Sequence, residues 1–236
     1  MEARKVAIIG GTGVGERLIE GGGEPVSCDT QFGRMTGLER GGVLMVARHG
    51  PEHKVAPHKV DYRANAVGLR ELGVEFCLSS AAVGSVNPDF HPGLLVVCSD
   101  FIDLNPNKKT LFDDEVRHTD FSAPFDPAAR AALLQDGVRD GGVYVGVLGP
   151  RYETPAEVQY LRTIGGDVVG MTAASEAISM REAGVRYACL AVVTNFAAGL
   201  SEQPLSHAEV DSAMRESLPE VVAVLRQAAR RLQESG

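Results

Sequence analysis

Short runs of β-branched and aliphatic residues recur along this chain at Val6–Ile9, Val43–Val46, Phe76–Ser79, Leu94–Cys98, Val143–Leu148, Val168–Met171 and Tyr187–Val193. Several of them are unbroken rather than alternating, which is what strands covered on both faces require. Between them lie helical patterns at Asp61–Leu72, Pro127–Gln135, Pro155–Ile164 and Ser175–Ala183, with a long one from His207 to Gln233. This order predicts an α/β fold in which a central mixed β-sheet is flanked by helices. The 236 residues, 44% of them hydrophobic, suffice for one large core, so a single domain over residues 1–236 is expected.

Charge narrows the partners. The formal net charge is −8, and the lysines and arginines are scattered, which argues against a nucleic-acid or anionic-membrane surface. Any anion that binds must therefore meet a local cationic pocket. The four cysteines, Cys28, Cys77, Cys98 and Cys189, show no paired spacing, and three of them sit in strand-like runs. Reduced thiols in a cytoplasmic protein are expected. The first ten residues lack the features of a signal peptide, and no apolar stretch approaches a bilayer span.

The chemistry gathers where strands end. The first strand runs into Gly10-Gly11-Thr12-Gly13-Val14-Gly15, a turn whose backbone amides and threonine hydroxyl suit a phosphate. It is neither a dinucleotide fingerprint, because position 16 is Glu16, nor a P-loop, because no GK[ST] follows. A Rossmann domain would also need an acidic residue about 20 positions beyond the glycines; Ser27-Cys28-Asp29-Thr30 comes too early and carries no strand pattern. The second strand ends in Ala47-Arg48-His49-Gly50, a permanent cation beside an imidazole. Three further strand ends carry polar groups: Gly149-Pro150-Arg151-Tyr152-Glu153-Thr154-Pro155-Ala156-Glu157, Val169-Gly170-Met171-Thr172 and Val193-Thr194-Asn195-Phe196. Each has a bland reading: Glu153 as a cap of the following helix, Thr172 as a turn hydroxyl, Asn195 as an Asx-turn. Their recurrence at five strand ends, where open α/β sheets bind ligands, favours one site.

Two other features stand out. Ser206-His207-Ala208-Glu209 opens the last helix as a capping box, and an apolar face of Val210, Met214, Leu218, Val221, Leu225 and Leu232 follows. The polar stretch Asp103–Ser122 exceeds an ordinary connection and is a candidate binding or interface loop.

Through Ile8–Gly13, Ala47–Gly50, Val60–Asn65, Gly149–Glu157, Val169–Thr172 and Val192–Asn195, in order over nearly the whole chain, the sequence resembles the trimeric purine nucleoside phosphorylase and methylthioadenosine phosphorylase family. The resemblance implies a nucleoside phosphorylase-like fold and phosphorolysis, with inorganic phosphate as co-substrate and no metal or organic cofactor. It implies that Thr12, Arg48, His49, Ala82 (through its amide) and Thr172 hold phosphate. Met171 packs beneath the ribose, and Tyr152 walls the base. Glu153 accepts from N1–H of a 6-oxopurine, and Asn195 donates to N7 or O6, so Asn195, His49 and Glu153 form the catalytic set. The adenine-preferring branch carries a small hydroxyl residue in place of Glu153 and an aspartate in place of Asn195, so inosine and guanosine are the expected substrates. One departure is Ala81, where the family usually has threonine or asparagine, so one hydrogen bond near the phosphate or base is either missing or supplied by Ser80. A homotrimer, or a dimer of trimers, is implied, with His118 or Phe121 reaching the neighbouring subunit's sugar site. His207 is expected to face the ribose 5′ end and select a hydroxyl. The alternative is that His207 points to solvent and Phe196–Leu205 form an apolar 5′ pocket, which would suit a methylthioinosine or methylthioadenosine phosphorylase.

Overall fold

The computed structural model describes residues 4–106, 110–201 and 206–235. Its centre is a mixed sheet that splits. Strand β1 (Val6–Gly10) lies parallel between β4 (Val43–Ala47) and β5 (Phe76–Ser85), and β5 runs parallel to β11 (Arg186–Phe196) along its whole length. One arm continues from β4 into the antiparallel hairpin of β2 (Glu24–Thr30) and β3 (Gly33–Arg40). A second arm leaves the far end of β5 as β10 (Val168–Gly170), β9 (Val143–Gly146) and β7 (Asp100–Asp103). On the other side of β11 lie β6 (Leu95–Val97) and β8 (Val138–Asp140).

The helices are α1 (Val14–Ile19), α2 (Tyr62–Glu71), α3 (Pro127–Leu133), α4 (Pro155–Thr163), α5 (Ala173–Ala183) and α6 (His207–Glu234). They explain the unbroken apolar runs. Ala7 and Ile9 point into a core shared with Leu69 of α2 and Met180 of α5, while Val6 and Ile8 point into one shared with Leu18 of α1, Leu133 of α3 and Leu225 of α6. Strand β11 divides in the same way, with Cys189 and Ala191 on the first face and Leu190 and Val192 on the second. A strand clad on both faces has no polar side to show. Truncating a fully buried side chain such as Leu78 to alanine costs about 3 kcal/mol.

Several expectations need correction. Ser27–Thr30, read as lacking a strand pattern, belongs to β2, in register with β3 through Ser27↔Thr36 and Cys28↔Met35. This edge hairpin is largely solvated, so burial imposes little apolar pattern on it. Strands β7 and β8 and helix α1 were also not expected; each is only a few residues long. The box at Ser206 is half formed: its Oγ accepts from Glu209 N at 3.2 Å, but no return bond from Glu209 is made among the described residues. The reciprocal box caps α4, where Thr154 and Glu157 satisfy each other's amides.

Candidate active site

The split in the sheet makes the site. β1 accompanies β5 only as far as Ser79, and β10 joins it only at Gly84, so on that side residues 80–83 run without a partner strand. Ser80 O, which faces this gap, accepts from Arg48 Nη1 at 2.8 Å. Backbone groups two residues apart on a strand point the same way, so the Ala82 amide also faces the gap. Around it opens a cavity of about 420 Å³.

Ten of the residues singled out from sequence line this cavity: Thr12, Arg48, His49, Ala82, Tyr152, Glu153, Met171, Thr172, Asn195 and His207. His118 does not; it lies exposed on the long loop. Phe121 is committed to its own chain, edge-to-face with Phe101 at 6.0 Å. Ser80 is not a substitute for a pocket hydroxyl at Ala81, because its Oγ accepts from Gly11 N at 3.2 Å and it does not line the cavity. Of the segment proposed as an apolar 5′ pocket, residues 202–205 lie outside the described residues.

At the Arg48 end, Gly11 has to be bare. A Cβ there would sit 2.7 Å from Arg48 Nη1 and 2.8 Å from Ser80 O. Arg48 is buried and forms a two-bond ion pair with buried Glu176, from Nε to Oε1 at 2.9 Å and from Nη2 to Oε2 at 2.8 Å. Burial pulls the guanidinium pKa down, but the charge and hydrogen bonds of Glu176 outweigh it and leave the group above its ordinary value. The expectation of a cationic pocket is thereby refined, since the central cation carries its own counter-ion.

His49 Nδ1 lies 2.8 Å from Val55 O. A carbonyl only accepts, so Nδ1 carries hydrogen, and in the neutral ring Nε2 presents a lone pair. Burial, with the Arg48 charge behind it, pushes the imidazole down to about 4. Thr172 opens α5, and the Tyr144 hydroxyl takes the amides of Thr172 and Ala173 at 3.1 and 3.2 Å, so these two of the amides at the helix start are met without an N-cap side chain.

At the other end, the Thr194 hydroxyl faces Asn195 Oδ1 at 2.8 Å, and Asn195 Nδ2 donates to Phe196 O at 2.9 Å. The Phe196 carbonyl fixes which end of the amide is nitrogen, and one N–H remains for a ligand. Glu153 is half-buried, and burial raises its carboxyl pKa. It is not a helix cap; Thr154 and Glu157 fill that role. His207 sits at the lip, its side chain 64% exposed, 3.6 Å from Asp211.

Sequence reasoning missed two groups. His53 and Lys54 line the cavity from the segment after Gly50, with the His53 ring 4.3 Å from His49; that stretch has no periodicity to read. Glu176 was missed as well, although it left a signal. A lone carboxylate among Ala173, Ala174, Ala177 and Met180 on a helix that packs on the sheet calls for a cationic partner.

A family model described as Phosphorylase superfamily matches residues 5–230. The 6-oxopurine nucleoside phosphorylase of Pyrococcus furiosus is 39% identical, over 94% of this chain and 90% of that protein. A protein of Methanothermobacter thermautotrophicus named "Probable S-methyl-5'-thioinosine phosphorylase" is also 39% identical, over 96% of this chain and 84% of its own. Among solved structures, a mutant adenosine/methylthioadenosine phosphorylase from Schistosoma mansoni in complex with methylthioadenosine superposes with a TM-score of 0.89 at 28% identity, covering 97% of this chain and 91% of that one.

Proposed function

This chain belongs to the phosphorylase superfamily, and from that premise we propose that it cleaves 6-oxopurine nucleosides, inosine or guanosine, with inorganic phosphate, giving free base and ribose 1-phosphate. The observation that carries the reading is that one cavity holds an oriented amide donor, Asn195, beside a carboxylate, Glu153, with Arg48 and His49 lining the same space. The name of the Pyrococcus furiosus relative points the same way.

In this reading Thr12, Arg48, His49, Thr172 and the Ala82 amide hold phosphate, and Met171 supports the ribose. A phosphate oxygen forms its bond to the anomeric carbon as the bond from that carbon to N9 breaks. The electron pair passes into the purine and spreads to N7 and O6. Asn195 donates to that growing charge, Glu153 accepts from N1–H, and Tyr152 packs against the ring. The protein contributes alignment and aimed donors rather than covalent chemistry. No metal or organic cofactor is called for.

Support for a homotrimer, or a dimer of trimers, comes from surface features. A groove of about 410 Å³ holds Leu104 and Tyr160, two exposed large apolar residues, and shares Glu153 with the cavity. The loop after β7 is pinned to α2 and α5 through Arg63–Asp113, Glu182–Leu111 and Arg181–Asp120, while Val116 and His118 stay exposed. In the assembly His118 would reach the neighbouring sugar site. No described helix is long and apolar enough to cross a membrane, and the four described cysteines are free; a cytoplasmic location fits both.

A second reading, methylthioinosine phosphorolysis, is favoured by Val210, which lines the lip beside His207, and by the name of the Methanothermobacter relative. The test common to both readings is hypoxanthine release from the nucleoside with and without phosphate. Release that ignores phosphate would overturn both.

A further inference from the structure

We propose that Glu176 is a positioning residue for this reaction: acting through Arg48, and itself held by Tyr187 and Ser79, it sets the direction of the guanidinium N–H groups that phosphate meets. The inference rests on the reading of this cavity as a phosphate site.

A guanidinium has five N–H donors. Arg48 spends three inside the protein: Nε and one Nη2 hydrogen on Glu176, and one Nη1 hydrogen on Ser80 O. One N–H on each terminal nitrogen is left for a ligand, and the buried pairs fix where those two point. Glu176 is itself fixed. Its Oε2 also accepts from the Tyr187 hydroxyl at 2.8 Å. The single Tyr187 proton is thereby used, so the Ser79 hydroxyl, 2.6 Å away, is the donor to Tyr187. Ser79 and Tyr187 stand on β5 and β11, strands paired over ten residue pairs, so the chain is anchored on the longest strand pairing of the sheet. Glu176 stands on α5, whose first turn Tyr144 ties down.

Two physical points make this a device for the site rather than for the fold. Desolvating a carboxylate and a guanidinium together is costly, and apolar residues of similar volume stabilise a core as well or better. The pair is also neutral as a whole, so an oxyanion meets directed N–H groups rather than surplus charge. Misdirecting them is then felt in phosphate binding, because such charge-assisted bonds depend strongly on geometry.

The experiment is steady-state phosphorolysis of inosine by Glu176→Gln and Tyr187→Phe, with phosphate and inosine varied separately and melting temperatures measured alongside. Glutamine keeps the volume but turns one acceptor into an NH2 facing Arg48 or Tyr187. The KM for phosphate is expected to rise on the order of tenfold in Glu176→Gln and roughly threefold in Tyr187→Phe, while the KM for inosine stays within about twofold. A group that only stabilises the fold would lower the melting temperature and kcat without this split. If Glu176→Gln does not fold, Tyr187→Phe decides by the same split. A phosphate KM that is unchanged or lower in the folded variants overturns the proposal. A wild type whose base release does not need phosphate overturns instead the reading it rests on.

Discussion

Thr194 Oγ1 lies 2.8 Å from Asn195 Oδ1, and the other end of the same amide donates to the Phe196 carbonyl. Asn195 is thus a donor of fixed direction toward the cavity. Asn195→Asp would replace that donor with a carboxylate oxygen beside the Phe196 carbonyl, where it repels the charge building on the departing base. Inosine kcat/KM should fall roughly 10²–10³-fold, the usual scale for a lost transition-state donor. Base release followed by absorbance checks this, and a loss below threefold would remove Asn195 from the chemistry.

The neutral, buried His49 carries a stability consequence. Its folded pKa is about 4, against about 6.5 for an unperturbed histidine. The unfolded chain therefore takes up the proton first on acidification. The native state loses stability as pH falls from about 6.5 to about 4, by up to roughly 3 kcal/mol. A melting-temperature profile over that range should be flatter in His49→Asn than in wild type; parallel profiles would show that His49 is not held neutral.

His207 separates the two substrate readings. At the first position of α6 and at the lip of the cavity, it can bond a 5′-hydroxyl, whereas a thioether offers only a weak acceptor. His207→Val should lower inosine cleavage and spare or raise methylthioinosine cleavage. A wild type that already prefers methylthioinosine by a wide margin would establish the second reading.

The apolar groove predicts assembly. Tyr160→Asp places a charge on a half-exposed aromatic beside Leu104. Light scattering should find a trimer, or a multiple of one, in wild type and a shift toward monomer in the variant, with inosine cleavage falling alongside. A fully active wild-type monomer would contradict the interface.

How much of this was legible depended on where the residues sit. Thr12, Arg48, Glu153, Thr172 and Asn195 each follow an apolar run that must end, and polar groups at strand ends announce themselves in sequence. Ser79, Tyr187 and Glu176 lie inside such runs or on a packed helix, where periodicity reports burial and not bonding partners. The link between Arg48 and Glu176 spans 128 positions and exists only through the sheet. The β2–β3 hairpin was hidden for the opposite reason: too little of it is buried for the apolar pattern to form. His118 lies exposed on the long loop, outside the cavity, where a polar stretch has no periodicity to say what it meets.

The central claim, phosphate-dependent cleavage selective for 6-oxopurines, rests most directly on Glu153, which would face the unprotonated N1 of adenine with no hydrogen to accept. A buried polar mismatch of this kind discriminates on the order of 10⁴-fold. The decisive measurement is kcat/KM for inosine against adenosine, each with and without phosphate. The account predicts strong preference for inosine, complete phosphate dependence, and loss of that preference in Glu153→Ala. Equal turnover of adenosine and inosine by the wild type, or base release without phosphate, would contradict it.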